Sequence, residues 1–229
     1  PAHTDRGGRI PYTAATLARQ LEAVRGFVAQ APQLFPGDCD VERFIREVPM
    51  VLELEDAIRR ELNHAPGMVA LCHWNLNLDN AWFERQAGGA LSAGLLDWGS
   101  VAQMNIAQSF FGITCAAEPD FLARNEAGLA ALFVDRYAAA GGPAIPAKRM
   151  HFLVKLSMAV LGTAWMLDAP AIVARELPDF ATVEGRFDPR LTGNFLARAQ
   201  THLLWVFISE WTSQDIGGAL RQFASGNHP

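Results

Sequence analysis

Polar side chains cluster after a short apolar run in the first half of the chain. The run Met68-Val69-Ala70-Leu71-Cys72 is typical of a buried strand, and His73-Trp74-Asn75-Leu76-Asn77-Leu78-Asp79-Asn80 follows it directly. A second apolar segment ends in Asp97-Trp98-Gly99. Phosphoryl transfer needs oxygen ligands for the metal that bridges the nucleotide phosphates, and a group that orients the acceptor hydroxyl. Two turns that carry amide and carboxylate oxygens are suited to that chemistry.

The order and spacing of these residues resemble a known pattern. The strings LCHWNLNLDNAWF and GLLDWGS are similar to the H-G-D-L-x-x-x-N and apolar-apolar-D-W/F segments of the aminoglycoside phosphotransferase and choline kinase family. The matching residues are His73, Asn80, Asp97 and Gly99. The resemblance implies a protein kinase-like fold, of which this chain corresponds to the C-terminal lobe.

The resemblance also implies roles for individual residues. Asn80 and Asp97 would bind magnesium and, through it, ATP. His73 would brace the catalytic loop, and Asn75 would stand at the position of the catalytic group that orients the acceptor. The substrate would be a small hydroxylated molecule. Alone, Asn80 or Asp97 is more often a turn residue, so the assignment depends on the two motifs occurring together.

The sequence departs from the family pattern in three places. Asn75 replaces the catalytic aspartate, and an amide cannot accept a proton at neutral pH. Trp74 replaces a glycine. No lysine precedes Lys148 and no glycine-rich phosphate loop is present, so the N-terminal lobe is missing from this chain. We expect the reading frame to extend upstream of Pro1 and to encode a small five-stranded lobe.

Two other interpretations remain open. The protein could be a pseudokinase-like module that binds a nucleotide or another ligand without turnover, which Asn75 favours. It could also be a helical domain in which the motif matches are coincidental.

Composition excludes several classes of protein. The formal net charge is -5 with no basic run, which argues against nucleic acid and anionic membranes as partners. The apolar run from Phe152 to Leu167 is shorter than the ~20 residues of a membrane span, and it predicts a buried helix. Three widely spaced cysteines and no visible signal peptide favour free thiols in a cytoplasmic protein.

Hydrophobic periodicity and turn residues predict a mainly helical α+β fold, a single unit over residues 1–229 with a strand-rich insert at 68–99. Strands are expected at 68–72, 81–83 and 91–98, the last two joined by a turn at Gly88-Gly89. Helices are expected after Thr13 to about residue 30, at 40–62 with a kink at Pro49, and at 101–117, 120–140, 147–168 and 192–223. The aromatic residues Trp165, Trp205, Phe207 and Trp211 are expected in the core, and Glu53, Glu55, Asp56 and Glu61 on a solvated helix face.

Overall fold

The computed structural model describes residues 13–37, 39–227 and 229. The protein is mainly helical with two small antiparallel sheets, as the sequence predicts. The helices are α1 (Ala14–Gln30), α2 (Val41–Glu47), α3 (Pro49–His64), α4 (Ile106–Thr114), α5 (Pro119–Ala139), α6 (Ala147–Met166), α7 (Ala169–Glu176), α8 (Pro189–Thr192), α9 (Phe195–Ser213) and α10 (Ile216–Ala224). The strands are β1 (Val69–His73), β2 (Ala81–Arg85), β3 (Leu91–Leu95) and β4 (Val101–Asn105).

The sheets are formed by strands that differ in sequence separation. β2 and β3 form a hairpin with Ala81 opposite Leu95, and the expected glycine turn joins them, with Gly89 at a φ of 84°. β1 pairs with β4, so that His73 lies opposite Val101 across a separation of almost thirty residues. The hairpin is thus an excursion between the two strands of the first sheet.

Three helical segments differ from the sequence prediction, and one of them, α7, lies where no helix was predicted. Residues 101–105 form strand β4 rather than the first turn of a helix, because they pair with β1. Asn105 then caps α4 together with Gln108 in a reciprocal capping box, which is a signal that the sequence carried. The predicted helix 192–223 is divided into α9 and α10 at Asp215, whose φ of 51° is left-handed and ends any α-helix.

Helix α6 is the centre of the helical part. It packs against α3, α4, α5, α9 and α10, and most of its side chains are buried. The apolar stretch Ala147–Glu176 is the only one among the described helices long and apolar enough to cross a membrane, and 72% of its most apolar window is buried inside the protein. This burial is consistent with a core helix of a soluble protein.

An aromatic cluster joins the beginning of the chain to its end. The rings of Phe44, Phe207 and Trp211 pack edge to face, with centroids 5.2–5.7 Å apart. Trp211 Nε1 also donates a hydrogen bond to Glu47 Oε2 at 2.9 Å. Because α2 and α9 share these contacts, the first helices belong to the same core as the last.

Two predictions of side-chain burial were wrong. Trp165 is 52% exposed, although Trp205, Phe207 and Trp211 are buried as expected. Glu55 is buried rather than solvated, and it accepts a hydrogen bond from Arg59 Nε at 2.8 Å within α3. The i,i+4 pairing neutralises a carboxylate on the face of the helix that packs inward.

Glu210 provides a test of core electrostatics. Its carboxyl group is fully buried, and burial together with the negative charge of Glu126 raises its pKa to about 7. The unfolded value is near 4.5, so the free energy of unfolding should fall as pH rises from about 4.5 to about 7 and stay low above that range.

We predict that Glu210→Gln removes this decline and stabilises the protein at pH 8 by up to about 3 kcal/mol, at ~1.4 kcal/mol for each unit of pKa shift. Thermal and urea unfolding at pH 5 and pH 8 measure the effect. Glu53→Gln, the same change on the exposed face of α3, is the control and should leave the pH dependence as in the wild type. Parallel pH dependence of wild type and Glu210→Gln would contradict the buried-charge explanation.

Candidate functional site

The candidate site begins where β1 ends, at His73. The His73 side chain is buried, and its Nε2 lies 2.7 Å from the carbonyl oxygen of Leu96. A carbonyl oxygen only accepts hydrogen bonds, so Nε2 carries the proton and donates it. The ring also packs edge to face on Trp98, at 5.1 Å between centroids. His73 therefore contacts the residues immediately before and after Asp97, namely Leu96 and Trp98.

Asn80 holds the same segment from the opposite direction. Its backbone carbonyl accepts a hydrogen bond from Leu96 N at 2.8 Å, which continues the β2–β3 pairing by one residue. Its Nδ2 donates to the Asn75 carbonyl oxygen at 2.7 Å and closes the loop on itself. The Oδ1 atom of Asn80 is consequently the amide atom that loop closure leaves for a ligand.

Asp97 directly follows Leu96, whose backbone makes both of these hydrogen bonds. Its φ of 52° and ψ of 58° are left-handed, a conformation that aspartate tolerates better than most residues but that still costs about 1 kcal/mol or more. Asp97 is exposed, and its carboxylate caps no helix. Gly99, two residues later, has its α-carbon beside the Asp97 carboxylate. A Cβ at Gly99 would lie 3.3 Å from Asp97 Oδ1.

Asn75 lies inside the closed loop. Its Oδ1 accepts a hydrogen bond from Asn77 Nδ2 at 3.1 Å, and Asn77 Oδ1 in turn accepts from Asp79 N at 3.1 Å. Asn77 is thus a capping residue for the turn Leu78–Asn80. Since the Asn75 oxygen is occupied by its neighbour, the group that Asn75 leaves free is the NH₂ donor, which cannot act as a base.

Helix α4 packs against the start of the loop, at His73 and Trp74. Ser109 Oγ donates to the His73 carbonyl oxygen at 3.2 Å. One turn further, Gly112 passes so close to Trp74 that a Cβ at Gly112 would lie 1.6 Å from the Trp74 carbonyl oxygen. The Trp74 ring itself packs on Trp165 of α6, with centroids 5.3 Å apart. The large residue at position 74 is therefore accommodated between α4 and α6, beside Asn75.

Asn80 and Asp97 offer side-chain oxygen atoms, the ligand type that magnesium prefers. Within residues 13–37, 39–227 and 229, no three His, Cys, Asp or Glu side chains are grouped closely enough to hold a metal. Magnesium, however, is commonly bound through one or two protein oxygens, with water and substrate phosphates completing its coordination. Asn80 Oδ1 and the Asp97 carboxylate are oxygens of that chemical type, and Leu96, which precedes Asp97, is hydrogen-bonded to the Asn80 backbone.

The sequence identified His73, Asn75, Asn80 and Asp97, and the fold brings all four to one loop and turn. It did not identify Leu96, Ser109 or Gly112, which position them. A glycine in the middle of an otherwise apolar helix was the one available signal for Gly112, because such a glycine costs helix stability unless packing requires it.

Comparison of the chain with protein-family models, with curated proteins and with solved structures gave no match.

The contact between α4 and the loop yields a matched pair of glycine substitutions. Gly112→Ala should destabilise the protein by about 1–3 kcal/mol, as overpacking of a rigid contact does, because a backbone oxygen cannot move aside as a side chain can. Gly128→Ala, on α5 where a Cβ meets nothing within 4 Å, should instead stabilise by roughly 0.5–1 kcal/mol through helix propensity.

Urea unfolding of the two variants measures both effects. Stabilisation by Gly112→Ala equal to that by Gly128→Ala would mean that Trp74 does not approach α4 as described.

Proposed function

We propose that this protein is an aminoglycoside phosphotransferase-like enzyme that transfers the γ-phosphoryl group of Mg-ATP to a hydroxyl group of a small molecule. The observation that carries the proposal is the pair of hydrogen bonds on Leu96. Through them His73 and Asn80 fix the turn that presents Asp97. The chain would correspond to the C-terminal lobe of a protein kinase-like fold and would act in the cytoplasm, where ATP is abundant.

Each side chain has a task in this reaction. Asn80 and Asp97 would hold magnesium, which neutralises charge on the phosphates when it is bound. His73 keeps the loop and the Asp97 turn together. Asn75 orients the acceptor hydroxyl by hydrogen bonding. The hydroxyl oxygen bonds to the γ-phosphorus, the bond from that phosphorus to the bridging oxygen breaks, and ADP leaves. The hydroxyl proton passes to water or to the substrate itself.

Transfer without a protein base is chemically reasonable. The transition state is loose in most analyses, so positioning and charge neutralisation supply most of the catalysis. General-base assistance typically contributes ~10²–10⁴-fold, and its loss slows the reaction without abolishing it.

An exposed apolar surface supports the proposal that a further lobe completes the site. Between Leu71 and Trp98, eight large apolar side chains are 41–79% exposed: Leu71, Leu78, Trp82, Phe83, Leu91, Leu95, Leu96 and Trp98. Phe83, Leu91 and Leu95 share one face of the hairpin, and Trp82 lies on the other. Large apolar side chains exposed together in one segment are typical of an interaction surface. An upstream strand-rich lobe would cover this surface and supply the ATP-binding lysine.

The hydrogen bond between Asn75 and Asn77 favours a second candidate function. In this second function Asn75 serves only to stabilise the loop through its bond with Asn77. The protein is then a pseudokinase-like module that binds Mg-nucleotide, or another ligand, without phosphoryl transfer. The phosphotransferase and a nucleotide-binding module would both bind Mg-nucleotide. Only the phosphotransferase would transfer the phosphoryl group.

Nucleotide binding can be tested at Asp97. Mg-ADP should raise the melting temperature of the full-length wild-type protein, because a ligand that binds only the folded state stabilises it by mass action; at 100 times Kd this amounts to ~2.7 kcal/mol. Asp97→Asn removes the charge but tolerates the left-handed backbone, so it should fold and lose most of that shift. Asp79→Asn makes the same change in the same loop and should retain it. Equal shifts in all three proteins would remove Asp97 from the site.

Turnover can be tested at Asn75. Asn75→Asp hardly changes volume, and the new carboxylate can still accept the hydrogen bond from Asn77 Nδ2. Because it restores a proton acceptor, phosphoryl transfer or background ATP hydrolysis should rise by ~10²-fold, the low end of what a general base contributes.

Single-turnover phosphate release from Mg-ATP, compared with wild type and Asp97→Asn, is the measurement. No release from wild type or variant would favour the binding module, and a slower variant would show that the amide itself is a working part of the mechanism.

A further inference from the structure

A cavity of about 310 Å³ lies between α6 and α10, away from the candidate site. Lys148 lies at its α6 wall, 17 residues before Trp165, the residue that packs on the loop. At 1.5 Å for each helical residue, the two positions are roughly 26 Å apart along α6. The cavity volume is at the lower end of the ~300–1,000 Å³ of small-molecule sites. The cavity is therefore separate from the loop that carries the proposed phosphoryl transfer.

Cationic and ionisable nitrogen groups of α6 line this cavity. Lys148, His151 and Lys155 follow one another at spacings of three and four residues, which places them on one face of the helix. Lys148 and Lys155 are also the only lysines in the sequence, where arginine supplies every other formal positive charge. Both lysines thus face one cavity.

The two lysine side chains retain donors for a ligand. Lys148 Nζ has no ion pair or hydrogen bond with another part of the described chain. Lys155 is partly buried, and its Nζ donates to the Gln214 carbonyl oxygen at 2.6 Å, which uses one of three donors. His151 Nε2 lies 3.2 Å from Gln214 Oε1, so the end of α9 holds the imidazole in place.

Three carboxyl groups lie on or behind the walls of the cavity, and one of them, that of Asp215, is paired with an arginine. On the α10 wall, Asp215 pairs with Arg43 and also accepts a hydrogen bond from Gly218 N. Behind the wall, Glu126 of α5 lies 3.7 Å from His151 Nε2. Glu210 of α9 is close to Glu126 and has its pKa raised to about 7 by burial and by that neighbour, so near neutral pH part of the Glu210 population is uncharged. Glu126 and Glu210 do not line the cavity, whereas Lys148 and Lys155 do, so the side chains that line it carry a net positive formal charge.

We propose that the cavity between α6 and α10 is a second binding site, which takes a small anion with a phosphate or carboxylate group. Ammonium groups arranged along one helix face form charge-assisted hydrogen bonds with such oxygens, and these are stronger than bonds between neutral groups. The ligand is distinct from the phosphoryl donor, because the cavity and the loop lie towards opposite ends of α6.

The test is a thermal-shift titration of the full-length protein with inorganic phosphate and, in a parallel arm, with succinate. Sodium chloride of equal ionic strength is the reference. Phosphate, succinate or both should raise the melting temperature above the chloride reference; a response to one alone identifies the group that the site takes. Lys148→Gln should weaken the fitted Kd at least ~10-fold, the usual effect of losing a hydrogen bond from a charged group. Arg124→Gln, the same charge change on the exposed surface of α5, should leave Kd unchanged.

Two cross-controls separate this site from the proposed nucleotide site. Asp97→Asn should leave the Kd of the anion as in wild type, and Lys148→Gln should leave the Mg-ADP shift as in wild type. No response of the wild-type protein beyond chloride, or equal anion affinity in wild type and Lys148→Gln, would overturn the proposal. Because Lys155 also binds the end of α9, Lys155→Gln is used only if circular dichroism shows it to be folded.

Discussion

The arrangement of the candidate site depends on the two hydrogen bonds of Leu96. Its carbonyl oxygen accepts from a buried histidine, His73, and its N–H donates to the backbone of Asn80. Because both the N–H and the carbonyl group of Leu96 are hydrogen-bonded, the position of its backbone is fixed. The next residue, Asp97, starts from that fixed position and has a left-handed backbone conformation. The leucine side chain itself is 47% exposed, which means that its backbone, rather than its side chain, does the structural work.

This local constraint requires support from the helical core. Helix α4 contacts both the first sheet and α6, and α6 packs against most of the other long helices. Gly112 brings α4 against the loop backbone, and the Trp74–Trp165 contact links the loop to the C-terminal end of α6. The β2–β3 hairpin has little such support, and a two-stranded hairpin is marginally stable alone. Its exposed apolar side chains are consistent with a partner lobe, as we propose.

Asn75 decides how the proposed function is to be understood. The surrounding loop retains what positioning requires, namely its closure by Asn80 and its attachment to the Asp97 turn. In the proposed phosphotransferase, Asn75 would stand where a proton acceptor is expected, and its amide oxygen accepts a hydrogen bond from Asn77. A binding module and a slow phosphotransferase share every other feature of this loop, since electrostatic positioning serves both.

The sequence by itself determined the elements whose signals are local. Periodic apolar residues marked α1, α5 and α6, and the glycine turn marked the β2–β3 hairpin. The spacing of His73, Asn80 and Asp97 marked only a candidate site. Only the tertiary structure decided the features that depend on distant residues. Val101–Asn105 is a strand because β1 offers it backbone partners, and the close approach of α4 makes Gly112 necessary. The anionic pair Glu126 and Glu210 and the cavity lined by Lys148 and Lys155 likewise arise where α5, α6, α9 and α10 meet. Burial, charge compensation and strand pairing between distant segments are properties of the packed chain, and no local spacing encodes them.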